Sequence, residues 1–77
     1  MLKIETVGGN TKYNIKGRDL EDGKIYESEM GTIFIGNRLT FEDGRSYTAF
    51  SIDGYSIVHS DTEMMYREVD AKITVYL

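Results

Sequence analysis

The chain has 77 residues, too few for a second hydrophobic core, so we expect one domain over residues 1–77. It contains no cysteine, which excludes disulfides and thiolate metal sites, and no apolar run long enough to cross a membrane. Thirteen acidic against nine basic residues give a formal net charge of −4, which disfavours nucleic-acid binding because such proteins usually carry a basic surface. The first residues lack the apolar stretch of a signal peptide, and we expect a cytoplasmic protein with no membrane association.

Five glycine-containing pairs separate runs of residues that favour β-strands. They are Gly8-Gly9, Asp22-Gly23, Gly36-Asn37, Asp43-Gly44 and Asp53-Gly54. Each pair suits a two-residue hairpin loop, whose central positions need positive φ. Together they predict an all-β domain, a small antiparallel meander of six to seven strands that closes into a barrel or a sandwich.

The first half of the chain then contains two hairpins and one long strand. A loop at Gly8-Gly9 pairs Leu2 with Ile15, and a loop at Asp22-Gly23 places Met30 opposite Ile15. Side chains alternate without a break from residue 26 to residue 34. We therefore predict one strand over residues 24–35, bent at Gly31, where a missing side chain permits a corner.

The three later loops predict a single apolar face. In a two-residue hairpin the flanking residues pair directly, and directly paired residues share a face. Applied at residues 36–37, 43–44 and 53–54, this rule places six apolar residues on one face, which we predict to be the core: Phe34, Leu39, Phe41, Phe50, Ile52 and Ile57.

The opposite face of these strands carries a second apolar group beside two arginines. Soluble monomers seldom leave such a patch bare, and aromatic residues and arginine are enriched at protein interfaces. We predict that a protein partner or a second copy of the chain binds there, through Ile33, Ile35, Arg38, Arg45, Tyr47 and Val58. The alternative is that residues 61–67, or the C-terminal strand, fold over this patch as a second layer.

The C-terminal third begins with a connection and ends in a strand. Ser60 and Glu63 have the spacing of a capping box, which predicts at most one short helical turn near residues 61–67. An extended crossover is the alternative. From Val69 to Leu77 apolar and polar residues alternate, as in a strand with one buried face.

No group of residues indicates catalysis. His59 is the only histidine, and no nucleophile motif accompanies it, so we interpret it as a structural, inward-facing residue. Asp19, Glu21 and Asp22 lack the ligand spacing of a calcium loop, and we interpret them as a solvated turn. We expect no enzyme activity, no catalytic residues, no metal and no cofactor.

Three classes of function follow from these features. The first is a non-enzymatic, acidic protein-binding module, an inhibitor or adaptor of a host or partner protein of the kind that phages and mobile elements encode. The second is a structural or assembly subunit that forms a homo-oligomer. The third is a small-barrel nucleic-acid binder, in which exposed tyrosines would stack on bases.

Overall fold

The computed structural model describes residues 2–9, 11–52 and 54–75. Seven strands and one short 3₁₀ turn follow one another along this part of the chain: β1 (Leu2–Gly9), β2 (Ile15–Lys16), the 3₁₀ turn (Gly17–Asp19), β3 (Ile25–Ser28), β4 (Ile33–Thr40), β5 (Ser46–Ser51), β6 (Ile57–His59) and β7 (Met65–Val75). All pairings are antiparallel, and the order across the sheet is β1-β7-β3-β4-β5-β6. The predicted all-β character and strand number are confirmed. Within the described ranges β1 and β6 are the two ends of an open sheet, which does not close into a barrel.

Strand β7 connects the two ends of the chain. Its first residues lie between β2 and β3, since Tyr66 pairs with both Ile15 and Ser28. Its later residues, 69–75, pair with β1. Strands β1 and β2 therefore form one interrupted strand along the same edge of β7. The predicted hairpin at Gly8-Gly9 is wrong, because both glycines lie inside β1 and pair with β7.

A tight loop joins β3 to β4. The Ser28 N–H donates to the Thr32 carbonyl at 2.9 Å, and the Gly31 N–H donates to the Ser28 carbonyl at 2.9 Å. Gly31 has a φ of +86°, which closes a three-residue loop by turning the chain back on itself. The predicted single strand over residues 24–35 is therefore wrong, and a hairpin takes its place.

The loop between β4 and β5 has one residue more than predicted. The Phe41 N–H donates to the Arg45 carbonyl at 2.9 Å, so residues 42–44 form a three-residue loop with Gly44 at φ +88°. The hairpin at Asp43-Gly44 is confirmed, but its register is shifted, and Leu39 pairs with Tyr47.

The β5–β6 hairpin follows the predicted register near its loop. Phe50 pairs with Ile57 and Ala49 with Val58, as the sequence indicates. The loop residue Asp53 lies outside the described residues. Further from the loop the register shifts between Tyr47 and Ala49, as it also does between β4 and β5. Such a bulge changes which residues face the core.

Gly36 stands inside β4 and not in a turn, so the predicted hairpin at Gly36-Asn37 is wrong. A Cβ at this position would overlap the carbonyl oxygen of Glu21. Glycine therefore permits the chain before β3 to lie directly on β4. Asp22-Gly23 does form a turn, with Gly23 at φ +82°, but it follows the 3₁₀ turn, and β2 and β3 do not pair with each other.

The buried core lies on one face of the sheet. Six residues form it, with Ile15 and Met64 packed against them: Leu20, Tyr26, Phe34, Ala49, Val58 and Tyr66. Two irregular segments, residues 17–22 and 60–64, cover this face. Gly17 shows the contact between them, because a Cβ there would overlap the Thr62 side chain. Residues 65–67, predicted near a helical turn, belong to β7, and the helical turn lies at Gly17–Asp19.

Polar groups in the core find partners within the covering segments. The Thr48 hydroxyl, which is fully buried, donates to the Gly17 carbonyl at 2.6 Å. The Tyr26 hydroxyl oxygen accepts the Glu21 N–H at 2.9 Å. Because an unpaired buried polar group costs about 1–3 kcal/mol, these bonds fix the segments on the sheet.

The predicted core is largely wrong. Of its six residues only Phe34 is buried, while Phe50 and Ile52 are half-buried. Leu39, Phe41 and Ile57 are about half exposed. The other five do share one face, because the extra residue in the β4–β5 loop and the bulge in β5 offset each other. That face is the open one, since residues 17–22 and 60–64 cover the opposite face. Phe34 lies on the covered face because β4 continues through Gly36, where a turn was predicted.

Candidate protein-binding surface

An apolar row crosses four strands on the face of the sheet that the core does not use. Ile25 pairs with Ile35, Ile35 with Phe50, and Phe50 with Ile57. Directly paired residues share a face. The residues beside them along each strand, such as Phe34, Ala49 and Val58, are buried, so the row points away from the core.

Further apolar residues widen this row. Ile52 donates its N–H to the Ile33 carbonyl at 3.2 Å, and both side chains are half-buried. We call the whole surface the outer face, formed by Ile25, Ile33, Ile35, Leu39, Phe41, Phe50, Ile52 and Ile57. The segments that cover the core, residues 17–22 and 60–64, do not lie over it. Residues 61–67 therefore do not supply the second layer that the sequence allowed, and the last three of them belong to β7.

A shallow depression of about 180 Å³ lies at one end of the outer face. Leu39, Phe41, Tyr47, Phe50 and Ile57 contribute to its wall. Phe41 and Tyr47 meet edge to face, with ring centroids 5.3 Å apart. Aromatic pairs in this arrangement are rigid and mostly apolar, which is the composition of protein contact surfaces.

An arginine lies at the rim of this depression. The Arg45 guanidinium is 5.9 Å from the Phe41 ring centroid, and its Nε donates to Asp43 Oδ2 at 2.6 Å. Both charged side chains are at least half-exposed, so the ion pair adds little to the stability of the fold. Its effect is to keep the Arg45 side chain over Phe41 at the edge of the apolar surface.

A partly buried polar cluster lies at the opposite rim of the outer face. Glu27 pairs with Ile33 and with Arg67 in the sheet, and therefore lies on the outer face. Its Oε1 accepts a hydrogen bond from the Tyr13 hydroxyl at 2.7 Å and another from Arg67 Nε at 2.8 Å. The Arg67 guanidinium also lies 5.2 Å from the Tyr13 ring centroid.

These contacts shift the titration of the cluster. The hydrogen bond from Tyr13 and the neighbouring Arg67 charge lower the pKa of Glu27 below its usual value. The same hydrogen bond raises the pKa of Tyr13, because ionisation of the phenol would place a second negative charge beside Glu27. At neutral pH the cluster therefore holds a charged Glu27 and a neutral Tyr13, which fasten the chain before β2 to the sheet.

The six residues predicted to bind a partner are not all brought together. Ile33 and Ile35 do lie on the outer face, and Arg45 lies at its rim. Val58 is buried in the core on the other face, so the prediction that all six share one surface is wrong.

Tyr47 and Arg38 have structural contacts of their own. Tyr47 is 8% exposed and packs between Phe41 and His59. Arg38 donates from Nη2 to the carbonyls of Arg18 and Leu20, at 2.6 and 3.2 Å, and so holds the segment that covers the core.

His59 is placed differently from the sequence interpretation, whereas Asp19, Glu21 and Asp22 are exposed in and beside turns, as interpreted. His59 is exposed, not inward-facing, and its ring lies 4.7 Å from that of Tyr47. Glu21 forms an ion pair with Lys24 at 2.6 Å, and this contact lowers the pKa of Glu21. Asp22 Oδ1 accepts the Arg38 N–H at 2.7 Å, which ties the turn to β4.

Sequence reasoning missed most of the outer face, because it assigned Leu39, Phe41, Phe50 and Ile57 to the core. The sequence did place these four residues on one face, and the sheet keeps them together. What it did not indicate is which face of the sheet residues 17–22 and 60–64 cover.

Comparison of the chain with protein-family models, with curated proteins and with solved structures found no match. In the described part of the chain, no helix is long and apolar enough to cross a membrane.

Proposed function

We propose that this protein is a non-enzymatic protein-binding module, an inhibitor or adaptor, that docks the apolar surface of a partner protein on its outer face. The observation that carries the proposal is the row Ile25, Ile35, Phe50 and Ile57, which runs across four strands without a covering segment from the described residues. Apolar surface of this extent on a soluble protein marks an interaction site. Its action in the cytoplasm stays a prediction of the sequence.

The shape of the outer face favours a protein over a small molecule. Its depression has a volume of about 180 Å³, below the roughly 300–1,000 Å³ typical of ligand pockets. The surface around it is a flat sheet of apolar side chains, to which a protein surface can fit over its whole width. Half-exposed Leu39, Phe41 and Ile57 are the residues from which a partner would remove most water.

The charges beside the outer face disfavour nucleic acid. Arg45 is paired with Asp43 and Arg67 with Glu27, so both arginines at the rims already face carboxylates. Binding to phosphates would have to break these pairs. Because the whole chain is acidic, no long-range attraction compensates for that cost.

The test compares protein capture by three immobilised chains: wild type, Ile57→Glu and Met30→Glu. Ile57 is 52% exposed on the outer face. Met30 is 77% exposed in the β3–β4 loop, beside residues 60–64, which cover the core on the other face. The same change of charge is thus made on and off the proposed surface. We expect one partner to be retained from lysate by wild type and by Met30→Glu, and lost by Ile57→Glu.

Two results would overturn the proposal. One is equal retention of the partner by all three folded chains. The other is a salt-dependent gel shift with an oligonucleotide that Ile57→Glu abolishes, because the outer face would then bind nucleic acid.

A further inference from the structure

Strand β1 leaves a long backbone edge unpaired within the described chain. It is the last strand of the sheet on its side and has eight residues, whereas β6 at the other end has only three. Edge strands present rows of N–H and C=O groups that can pair with another strand, and natural proteins usually shorten or cover them. This protein does so at β6 and not at β1.

The part of the sheet that contains β1 is also thin. Residues 69–75 of β7 pair with β1 alone, because the pairing with β3 ends at Glu68. A two-stranded ribbon is only marginally stable by itself in water. Lys3, Glu5, Thr6 and Val7 are all exposed on it. Additional strands would stabilise this ribbon.

We propose that a second copy of the chain pairs with this edge, β1 against β1 in antiparallel orientation, with the two-fold axis at Ile4. In this register Lys3 of each copy lies opposite Glu5 of the other. A two-fold interface must be self-complementary, and the order Lys3-Ile4-Glu5 has that property. The inference does not depend on the proposed function of the outer face.

The alternation of opposite charges continues from the interface into the sheet of each copy. Glu5 already lies opposite Lys72 of β7. In the dimer one row would therefore read Lys72 and Glu5 of one copy followed by Lys3 of the other, with alternating signs. Opposite charges at directly paired positions stabilise a ladder, by about 0.2–1 kcal/mol for each pair. In the single chain, Lys3 Nζ lies 2.7 Å from Glu5 Oε1, so the two groups already form an ion pair. Dimer formation would change the partners of these charged groups and not their charges.

Other registers lose this complementarity. Moving the axis to Lys3 or to Glu5 places two lysines or two glutamates face to face. A parallel pairing of the two strands in register does the same. A shift by one residue would put charged positions opposite apolar ones. Only the axis at Ile4 gives opposite charges on both sides, and the charged residues thus select one geometry.

Single-cysteine variants test the axis directly, since the chain has no cysteine of its own. With the axis at Ile4, the two Cα atoms of residue 4 are about 4.5–5.5 Å apart, within the range that a disulfide bridges. The Cα atoms of the two Thr6 residues are then separated by about 13 Å along the strands. We expect mild oxidation to link most of the Ile4→Cys chains as dimers and to leave Thr6→Cys chains monomeric.

A second experiment uses charge. Lys3→Glu and Glu5→Lys each place like charges across the axis, so each variant alone should lose the dimer mass in light scattering. A mixture of the two restores two opposite-charge pairs and should recover dimers, while circular dichroism checks that each variant keeps its strands.

A wild-type chain that is monomeric at millimolar concentration, or equal cross-linking of both cysteine variants, would overturn the inference. Either result would leave the outer-face proposal standing, because the capture experiment changes Ile57 and Met30, neither of which lies in β1.

Discussion

Ile57 and Val58 are neighbours on β6, yet they lie on opposite faces of the sheet: Ile57 is 52% exposed and Val58 only 2%. Each has a partner on β5 with the same orientation, Phe50 for Ile57 and Ala49 for Val58. The sheet therefore has one covered apolar face and one open apolar face. This difference gives the protein both its core and its proposed binding surface.

Truncation of two phenylalanines should distinguish these faces. Phe34→Ala removes a buried ring that meets Tyr66 edge to face at 5.8 Å, and we expect a loss of about 3–5 kcal/mol in the free energy of unfolding. Phe50→Ala removes a half-buried ring from the open face, where water fills the space. We expect it to cost less than about 2 kcal/mol. Urea unfolding measures both, and an equal loss for the two variants would contradict the assignment of faces.

A methyl group at Gly36 should strongly destabilise the protein. The new Cβ would overlap the Glu21 carbonyl oxygen, and the backbone there is held by the Tyr26 hydroxyl through the Glu21 N–H. We expect Gly36→Ala to cost about 1–3 kcal/mol or more, as overpacking does. Gly8→Ala is the matched control, because its Cβ would lie 3.5 Å from Asp70 Oδ2, an ordinary contact. A thermal midpoint for Gly36→Ala equal to that of the control would contradict the packing described here.

The Glu27 cluster should make stability depend on pH in the acid range. Because the hydrogen bond from Tyr13 and the Arg67 charge lower the folded pKa of Glu27, its contribution is fully present above the unfolded value of about 4.5. It is lost as the pH falls through the lower, folded pKa. The two ion-pair side chains are only 23% and 16% exposed, so screening by solvent is limited.

Glu27→Gln tests this dependence. Between about pH 5 and pH 3, the free energy of unfolding should fall more steeply for wild type than for Glu27→Gln, and Tyr13→Phe should lie between them. At pH 7 we expect Glu27→Gln to lose about 1–3 kcal/mol, since Arg67 is left without its carboxylate. Parallel pH profiles for wild type and Glu27→Gln would show that the cluster does not contribute.

Local patterns predicted part of this fold well. The alternating runs indicated an all-β chain, and the β5–β6 hairpin was obtained in the correct register because Phe50 and Ile57 are close in sequence and their loop has a strong turn residue, Gly54. The role of Gly31 was predicted wrongly. It reverses the chain where a corner was predicted, because glycine alone does not specify the length of a loop.

The long-range pairings could not be predicted in the same way. Strand β1 pairs with β7 across nearly the whole chain, and no local turn specifies that contact. Gly36 resembles a turn residue in the sequence, but the reason for it is the approach of Glu21, which only the folded chain reveals. The binding face was exchanged with the core for the same reason, since only the folded chain shows which face residues 17–22 and 60–64 cover.

The measurement that tests the central claim most directly is the thermal unfolding of Ile57→Glu beside Val58→Glu, followed by circular dichroism. The two variants place the same charge at adjacent positions, one on the open face and one in the core. A charge buried at Val58 has no partner there, and Val58→Glu should be largely unfolded at room temperature. Ile57→Glu should keep its strands and unfold within about 4–8 °C of wild type, a cost near 1 kcal/mol for a domain of this size. Loss of the fold by Ile57→Glu, or a stable Val58→Glu, would contradict an open outer face.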